Sequence, residues 1–314
     1  MRQTSVARLF EAERDRLQLT HVGGTLDARL SVTEDRIWPA DLVGHLNLIH
    51  PSRLQVIGAA ELAWAQRQAY DKVARHIDDI LSARPPAIIV ADDCALPAVV
   101  RSICAEHDIA LFTTPQPAAS VIDQLRLYLS RELAEKVSLH GVFMDVLGLG
   151  VLITGDSGAG KSELALELIS RGHGLVADDI VELSRIAPNV LEGRCPELLQ
   201  NFIEVRGLGI LDMRTIFGET ACRRKKRLRL ICHLDRRQPG NEDPCRMPVQ
   251  RESHDILGVP ISRVVLPVAA GRNIAVLLEA AVRSMILQLR GIDSMQEFID
   301  RQARALQTTG DGQG

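Results

Sequence analysis

The run Gly155-Asp156-Ser157-Gly158-Ala159-Gly160-Lys161-Ser162 carries the plainest chemistry in the chain. It fits G-x-x-x-x-G-K-[ST], a loop whose backbone N–H groups cradle phosphates. Gly155, Gly158 and Gly160 let those groups curl around an anion with no Cβ in the way. Lys161 supplies a point charge for the β- and γ-phosphates, and the Ser162 hydroxyl can ligate Mg²⁺. The flanks agree with the loop. Val151-Leu152-Ile153-Thr154 is an apolar, β-prone run. After Ser162 the apolar spacing becomes helical through Leu164, Ala165, Leu168 and Ile169, and it stops at Arg171-Gly172. Phosphate binding follows from this context. The reaction does not.

Acids and bases stand around the loop in sequence. Asp178-Asp179 interrupt the apolar run from Leu175 to Leu183, as a carboxylate handling Mg²⁺ or the nucleophile would. Neighbours on a strand point to opposite faces, so only one of the two can face the phosphate unless the strand ends or bulges between them. The bland reading is a solvated strand end. His140 lies one hairpin before the loop; a lone histidine is more often structural, but nearness to the loop makes it a candidate. In extended form Glu204 and Arg206 share a face beside Gly207 and Gly209, either for metal and phosphate handling or as a surface ion pair. The basic run Arg223 to Arg229 enters a strand at Leu230 to Leu234, and either is solvated or attracts an acidic partner.

Two domains must position these groups. The chain has 314 residues, 46% hydrophobic and 25% charged, as a globular protein does. A net charge of −3 argues against a nucleic-acid surface, and no apolar run reaches membrane-spanning length. The polar N-terminus is not a secretory leader, and six scattered cysteines without C-x-x-C suit reduced thiols in the cytoplasm. Residues 1–130 read as an α/β domain with a partly parallel sheet. It has a helix from Val6 to Leu17, short strands at Leu46–Ile49 and Leu54–Ile57, and a long helix from Glu61 to Leu81. A βαβ unit follows: Ala87–Val90, Leu96–His107, Ile109–Phe112. Asp92-Asp93 reads as a solvated loop, and Ala118 to Glu135 as a helix joining the halves.

Residues 131–314 hold the phosphate loop. Val137 to Gly150 alternates like one strand that turns at its glycines. Arg236 to Asp255 is polar and proline-rich, a long loop. Asn273 caps a helix from Ile274 to Arg290, and a last helix begins with the capping-box pattern at Ser294. Thr308 to Gly314 is expected to be a disordered tail.

Several motifs taken together resemble the HPr kinase/phosphorylase family. They are His140-Gly141, the loop Gly155–Ser162, Ala177-Asp178-Asp179, Glu204-Val205-Arg206-Gly207-Leu208-Gly209-Ile210-Leu211-Asp212, and Pro267 to Asn273. The second of the two halves carries most of them, and His50-Pro51-Ser52-Arg53-Leu54-Gln55-Val56 extends the likeness into the first. The resemblance implies a C-terminal P-loop kinase domain related to phosphoenolpyruvate carboxykinase. It implies a cytoplasmic, Mg²⁺-dependent homohexamer. Such enzymes phosphorylate a serine of the phosphocarrier protein HPr with ATP or pyrophosphate, reverse this by phosphorolysis, and so regulate carbon metabolism. By position it makes Asp179 the general base, Ser162 and Glu204 the Mg²⁺ ligands, and Lys161 and His140 the phosphate-handling pair. Arg246 matches a catalytic loop arginine, and Arg206, Gly207, Gly209, Gly271 and Arg272 match motifs tied to substrate and dephosphorylation. The chain departs from the pattern at Cys245-Arg246-Met247-Pro248, where Asp-Arg-Leu-Gly is usual, and at Ala270, where proline is common. Two other readings compete: a small-molecule kinase of the carboxykinase type, and an ATP-binding regulatory module that transfers nothing.

Overall fold

The computed structural model describes residues 2–32, 38–46, 49–50, 52–236, 252–269 and 271–310. The chain divides into two compact units, Met1–Glu135 and Lys136–Gly314.

The first unit opens with β1 (Arg2–Ser5), α1 (Val6–Leu17), β2 (Thr20–Gly23) and β3 (Arg29–Val32). It continues with β4 (Val43–His45), β5 (Leu54–Ile57), α2 (Ala59–Gln66), α3 (Tyr70–Ser82), β6 (Ala87–Val90), α4 (Ala98–Glu106), β7 (Ala110–Thr113) and α5 (Ala118–Glu132). The sheet order is β2-β7-β6-β5-β4, with β4 to β7 parallel as the βαβ pattern requires. Alternate residues serve opposite faces: Ala87 and Ile89 pack with Leu125 and Leu129 of α5, whereas Ile88 and Val90 pack with Leu81 and Val100 of α3 and α4. Three expectations change. The strand before β5 lies at Val43–His45 instead of starting at Leu46, while Asn47 and Leu48 fall outside the described residues. The long helix breaks at Arg67-Gln68-Ala69, because α3 buries Ile77, Ile80 and Leu81 whereas α2 buries no residue. Asp92 is not a solvated loop residue. Its carboxylate accepts from Ala59 N (2.7 Å) and Ala118 N (2.8 Å), so one side chain caps the N-termini of α2 and α5.

The second unit contains β8 (Glu135–His140), β9 (Val142–Val146), β10 (Leu149–Gly155), α6 (Lys161–Ser170), β11 (Gly174–Ala177), β12 (Ile180–Ala187) and β13 (Val190–Arg194). Then come β14 (Phe202–Val205), β15 (Gly209–Asp212), α7 (Met213–Phe217), β16 (Lys225–Arg236), β17 (Glu252–Ile256), β18 (Val259–Val268), α8 (Ile274–Leu289) and α9 (Ser294–Gly310). The main sheet runs β11-β9-β10-β16-β13-β12-β8, and β18 joins the other end of β16. One face packs on α6 and α8 through Val151, Ile153, Leu168, Cys232 and Leu278. The opposite face is a second core around Phe143, Leu152 and Ile231.

The expected strand over Val137–Gly150 is two strands at different places in the sheet. They part at Gly141, where a Cβ would sit 2.6 Å from Ile153 O. The run from Leu175 to Leu183 is likewise split between β11 and β12. The basic run enters β16, which begins at Lys225, and its partners come from the same unit: Asp145 holds Arg223 and Lys226, and Glu192 holds Lys225. Glu252–Ile256 of the expected loop is strand β17, since it pairs with β18. Arg236 ends β16, and residues 237–251 of that loop, with Arg246, lie outside the described residues, as does Ala270. Asn273 caps α8 as expected, its side chain accepting from Val276 N. Asp293 caps α9, accepting from Met295 N and Gln296 N. That helix reaches Gly310, past the start of the expected tail.

Candidate phosphate-transfer site

The phosphate loop leaves the carboxyl end of β10. There β10 runs parallel to β16, with Thr154 opposite His233 and Gly155 opposite Leu234. Thr154 Oγ1 and His233 Nδ1 lie 3.0 Å apart and tie the two strand ends together. A Cβ at Gly155 would come within 2.7 Å of Leu234 O, so only glycine lets the chain turn this close to its neighbour. Gly158 (φ 75°) and Gly160 (φ 88°) adopt left-handed conformations, and α6 starts at Lys161 with its N–H groups toward the loop. Ser157 is exposed, while Ala159 is buried under the loop. Lys161 Nζ donates to Gly155 O (2.9 Å) and Asp156 O (3.0 Å), which holds the ammonium across the loop's mouth.

The paired aspartates have separate surroundings. Strand β11 ends at Ala177, and Ile180 N donates back to Asp178 O (2.8 Å), so strand alternation does not relate the two residues. Asp178 turns inward and is 7% exposed. Its Oδ1 accepts from the Ser162 hydroxyl (3.3 Å) and its Oδ2 from Glu204 N (2.9 Å). Burial pushes its carboxyl above the usual range, opposed by the hydrogen bonds from Glu204, Ser162 and the Asp179 backbone. Asp179 turns outward with φ 64° and a side chain 74% exposed. Its carbonyl accepts from Gly141 N (3.1 Å), and its Oδ1 lies 3.5 Å from Nδ1 of the exposed His140. Hence β8, β11 and α6 bring His140, Asp178, Asp179 and Ser162 to one end of the sheet.

Glu204 joins this group through its backbone, and its side chain is exposed. It does not share a strand face with Arg206. The strand ends at Val205, and Arg206-Gly207-Leu208 form a turn closed by Leu208 N to Val205 O (3.0 Å). Gly207 (φ 85°) and Gly209 (φ 81°) supply the left-handed conformations of that exposed turn. Gly271 and Arg272, distant in sequence, line a cavity of about 480 Å³ with Ala159, Gly160, Leu234 and Val268. Glu163 and Glu167 of α6 border the same cavity.

Around Ser162 the oxygens are its hydroxyl and the Asp178 carboxylate, and the backbone N–H of Glu204 reaches the same carboxylate. Such a set fits Mg²⁺, which takes one or two carboxylates and completes its shell with phosphate oxygens and water. Among the described residues no group of three His, Cys, Asp or Glu is placed to hold a metal without such help. Sequence reasoning named the two aspartates as a pair. It missed that Asp178 joins α6 to β14, because that contact depends on where the β14–β15 hairpin packs.

Family models match both halves: "HPr Serine kinase N terminus" over residues 4–129 and "HPr Serine kinase C-terminal domain" over 131–302. The HPr kinase/phosphorylase of Azoarcus sp. (strain BH72) is 77% identical over 99% of this chain and 100% of its own length. That of Bordetella pertussis (strain Tohama I) is 55% identical over 96% of this chain and 98% of its own. A solved structure of the Hpr(Ser) kinase/phosphatase from Coxiella burnetii is 35% identical, covering 52% of this chain and 98% of that one, at a TM-score of 0.46. With the loop, the paired aspartates and the glycine hairpin in place, the two family models and the Azoarcus and Bordetella relatives, over nearly the full length, show that the chain belongs to the HPr kinase/phosphorylase family.

Proposed function

We propose that this protein transfers phosphate from ATP, or from pyrophosphate, to a serine of the phosphocarrier protein HPr, and removes it again by phosphorolysis. The division of labour at Asp178-Asp179 carries the reading. One carboxylate is buried on the Ser162 hydroxyl and the Glu204 N–H, and its neighbour is left exposed beside His140. Phosphoryl transfer needs both positions: a buried acid on the metal side of the loop and a free one where the acceptor hydroxyl arrives.

In this reading Gly155 to Ser162 bind the phosphates and Lys161 neutralises developing charge. Ser162 and Glu204, with Asp178 behind them, hold Mg²⁺, which when bound offsets charge on the phosphate oxygens. Asp179 takes the proton of the seryl hydroxyl as that oxygen bonds to the γ-phosphorus, and the bond to the bridging oxygen breaks to release ADP. In reverse, an oxygen of inorganic phosphate attacks the seryl phosphorus. The carboxyl of Asp179 returns its proton to the leaving seryl oxygen, and pyrophosphate departs. His140 orients Asp179 and the incoming phosphate, while Arg206, Gly207, Gly209, Gly271, Arg272 and Arg246 serve the acceptor and the reverse reaction. Residues 131–314 form the catalytic domain and 1–130 a separate N-terminal domain. A cytoplasmic homohexamer is the expected assembly.

The test is incubation with γ-labelled ATP, Mg²⁺ and HPr, followed by inorganic phosphate. Label on an HPr serine, then recovered as pyrophosphate, is the expected result. Label passing only to a small metabolite would identify the carboxykinase-type reading. ATP binding without transfer to any acceptor would identify a regulatory module.

A further inference from the structure

We propose that Arg236 is a second cationic phosphate-binding residue of this site, acting beside Lys161. The inference rests on the phosphate loop being the donor site. Strand β16 runs parallel to β10, so its carboxyl end arrives where the loop begins, and Leu234 lies opposite Gly155. Cys232 and Leu234 face the α6 side of the sheet and pack in its core. Strand alternation puts Arg236, two residues on, at that same face. Its position agrees: a Cβ built on Gly158, at the tip of the loop, would lie 3.6 Å from Arg236 Nη1.

Arg236 is opposite Val268, which lines the cavity beside the loop together with Leu234 and Arg272. The guanidinium therefore stands at the loop's tip, on a strand whose Leu234 borders that cavity. Two observations give it a phosphate to bind. Lys161 is already held by two backbone carbonyls and provides a single point charge. Arg236 is exposed, and among the described residues no carboxylate or carbonyl holds its guanidinium. A planar fork of N–H donors matches the oxygens of a di- or triphosphate, which one ammonium cannot span. Asp235, on the opposite face, cannot take this role.

The ligand class is a polyphosphate chain, so nucleotide and pyrophosphate donors should depend on Arg236 alike. The experiment uses the full-length protein as Arg236→Ala and Arg236→Lys. Inorganic pyrophosphate with Mg²⁺ is titrated by calorimetry, a measurement that needs no transfer activity. Transfer to HPr is then assayed with ATP and with pyrophosphate. Expected for Arg236→Ala are a Kd for pyrophosphate about tenfold weaker and a kcat about 10–100-fold lower with either donor. The KM for HPr and the melting temperature should stay unchanged. Low-millimolar guanidinium should recover part of the lost rate in Arg236→Ala and none in Lys161→Ala, and Arg236→Lys should fall between the two extremes. Unchanged pyrophosphate binding in Arg236→Ala would overturn the proposal. So would a loss that follows a lowered melting temperature without guanidinium rescue, which is a structural role, or a change confined to the KM for HPr, which is acceptor docking. A wild-type protein that binds pyrophosphate but transfers nothing would count against the kinase reading and leave the calorimetric test of Arg236 decisive.

Discussion

Two adjacent aspartates with the same chemistry are given opposite surroundings, one buried and one exposed. Asp179 is exposed beside His140, where an acceptor hydroxyl can reach it. A positioned carboxylate typically contributes about 10²–10⁴-fold by taking a proton as the new bond forms. Asp179→Asn should therefore lower kinase and phosphorolysis rates together by a factor in that range, measured at saturating donor, Mg²⁺ and acceptor. Near-normal kcat in this variant, with the loss seen in Asp178→Asn, would reverse the assignment. Asp178 behaves differently because it is buried. Its carboxyl holds its proton to a higher pH in the folded chain than in the unfolded one, so its ionisation costs stability increasingly as pH rises out of the ordinary carboxylate range. An asparagine keeps the acceptor for Glu204 N and can donate to the Ser162 hydroxyl. Without metal or nucleotide, Asp178→Asn should melt about 2–4 °C higher near pH 7, with the gap closing as pH falls toward 4. Calorimetry across that range decides it; a variant that melts lower at neutral pH would show that the charge itself stabilises the fold.

The helix that begins at the end of the glycine loop is fixed at its other end by a charged clamp. Glu279 of α8 accepts from Arg171 Nε (2.9 Å) and Nη2 (2.8 Å) and is 2.9 Å from His173 Nε2, just past the C-terminus of α6. The arginine and histidine hydrogen bonds pull the Glu279 carboxyl down to about 2. A lowered folded-state value stabilises above the ordinary carboxylate range, and this contribution is lost as pH falls through about 2. Glu279→Gln should lower the melting temperature at neutral pH by about 2–4 °C, an effect that fades under acid. Because the clamp sets the angle of α6, the KM for ATP should rise while the KM for HPr holds. Equal melting of the variant and the wild type would show that the clamp adds nothing. The β14–β15 hairpin is the second positioning element. It buries Ile203 and Val205 against the α6 side of the sheet, and this delivers Glu204 N to Asp178.

The chain as a whole consists of two units with separate cores, and the phosphate loop belongs to one of them. A ligand that binds only the folded form raises stability by RT ln(1 + [L]/Kd), about 2.7 kcal/mol at a hundredfold excess over Kd. Saturating Mg²⁺ and pyrophosphate should therefore raise the melting of Lys136–Gly314 and leave that of Met1–Glu135 in place. Scanning calorimetry can test this, with each transition assigned from the separately expressed segment. A ligand-driven rise in the melting of Met1–Glu135 expressed alone would locate a second binding site in the first unit.

Local rules made much of this protein legible from its sequence. The glycine loop, its strand and its helix are contiguous, and each depends on backbone conformation and apolar spacing within about twenty residues. The βαβ pattern of the first unit and the Asn273 cap were legible for the same reason. The family motifs named Asp179, His140 and Glu204, but spacing could not show how these groups meet. Glu204 and Arg206 read as one extended face because two-residue periodicity cannot reveal a turn at Val205, which the pairing of β14 with β15 requires. Asp92 read as a loop residue because the two helix N-termini it caps are far apart along the chain. Asp178 and Arg236 are the extreme cases. One meets Glu204 N through a hairpin that packs on the α6 side of the sheet, and the other reaches Gly158 through the parallel register of two strands separated by about seventy residues. Contacts of that kind depend on which elements pair and in what register, and only the packed core fixes that choice.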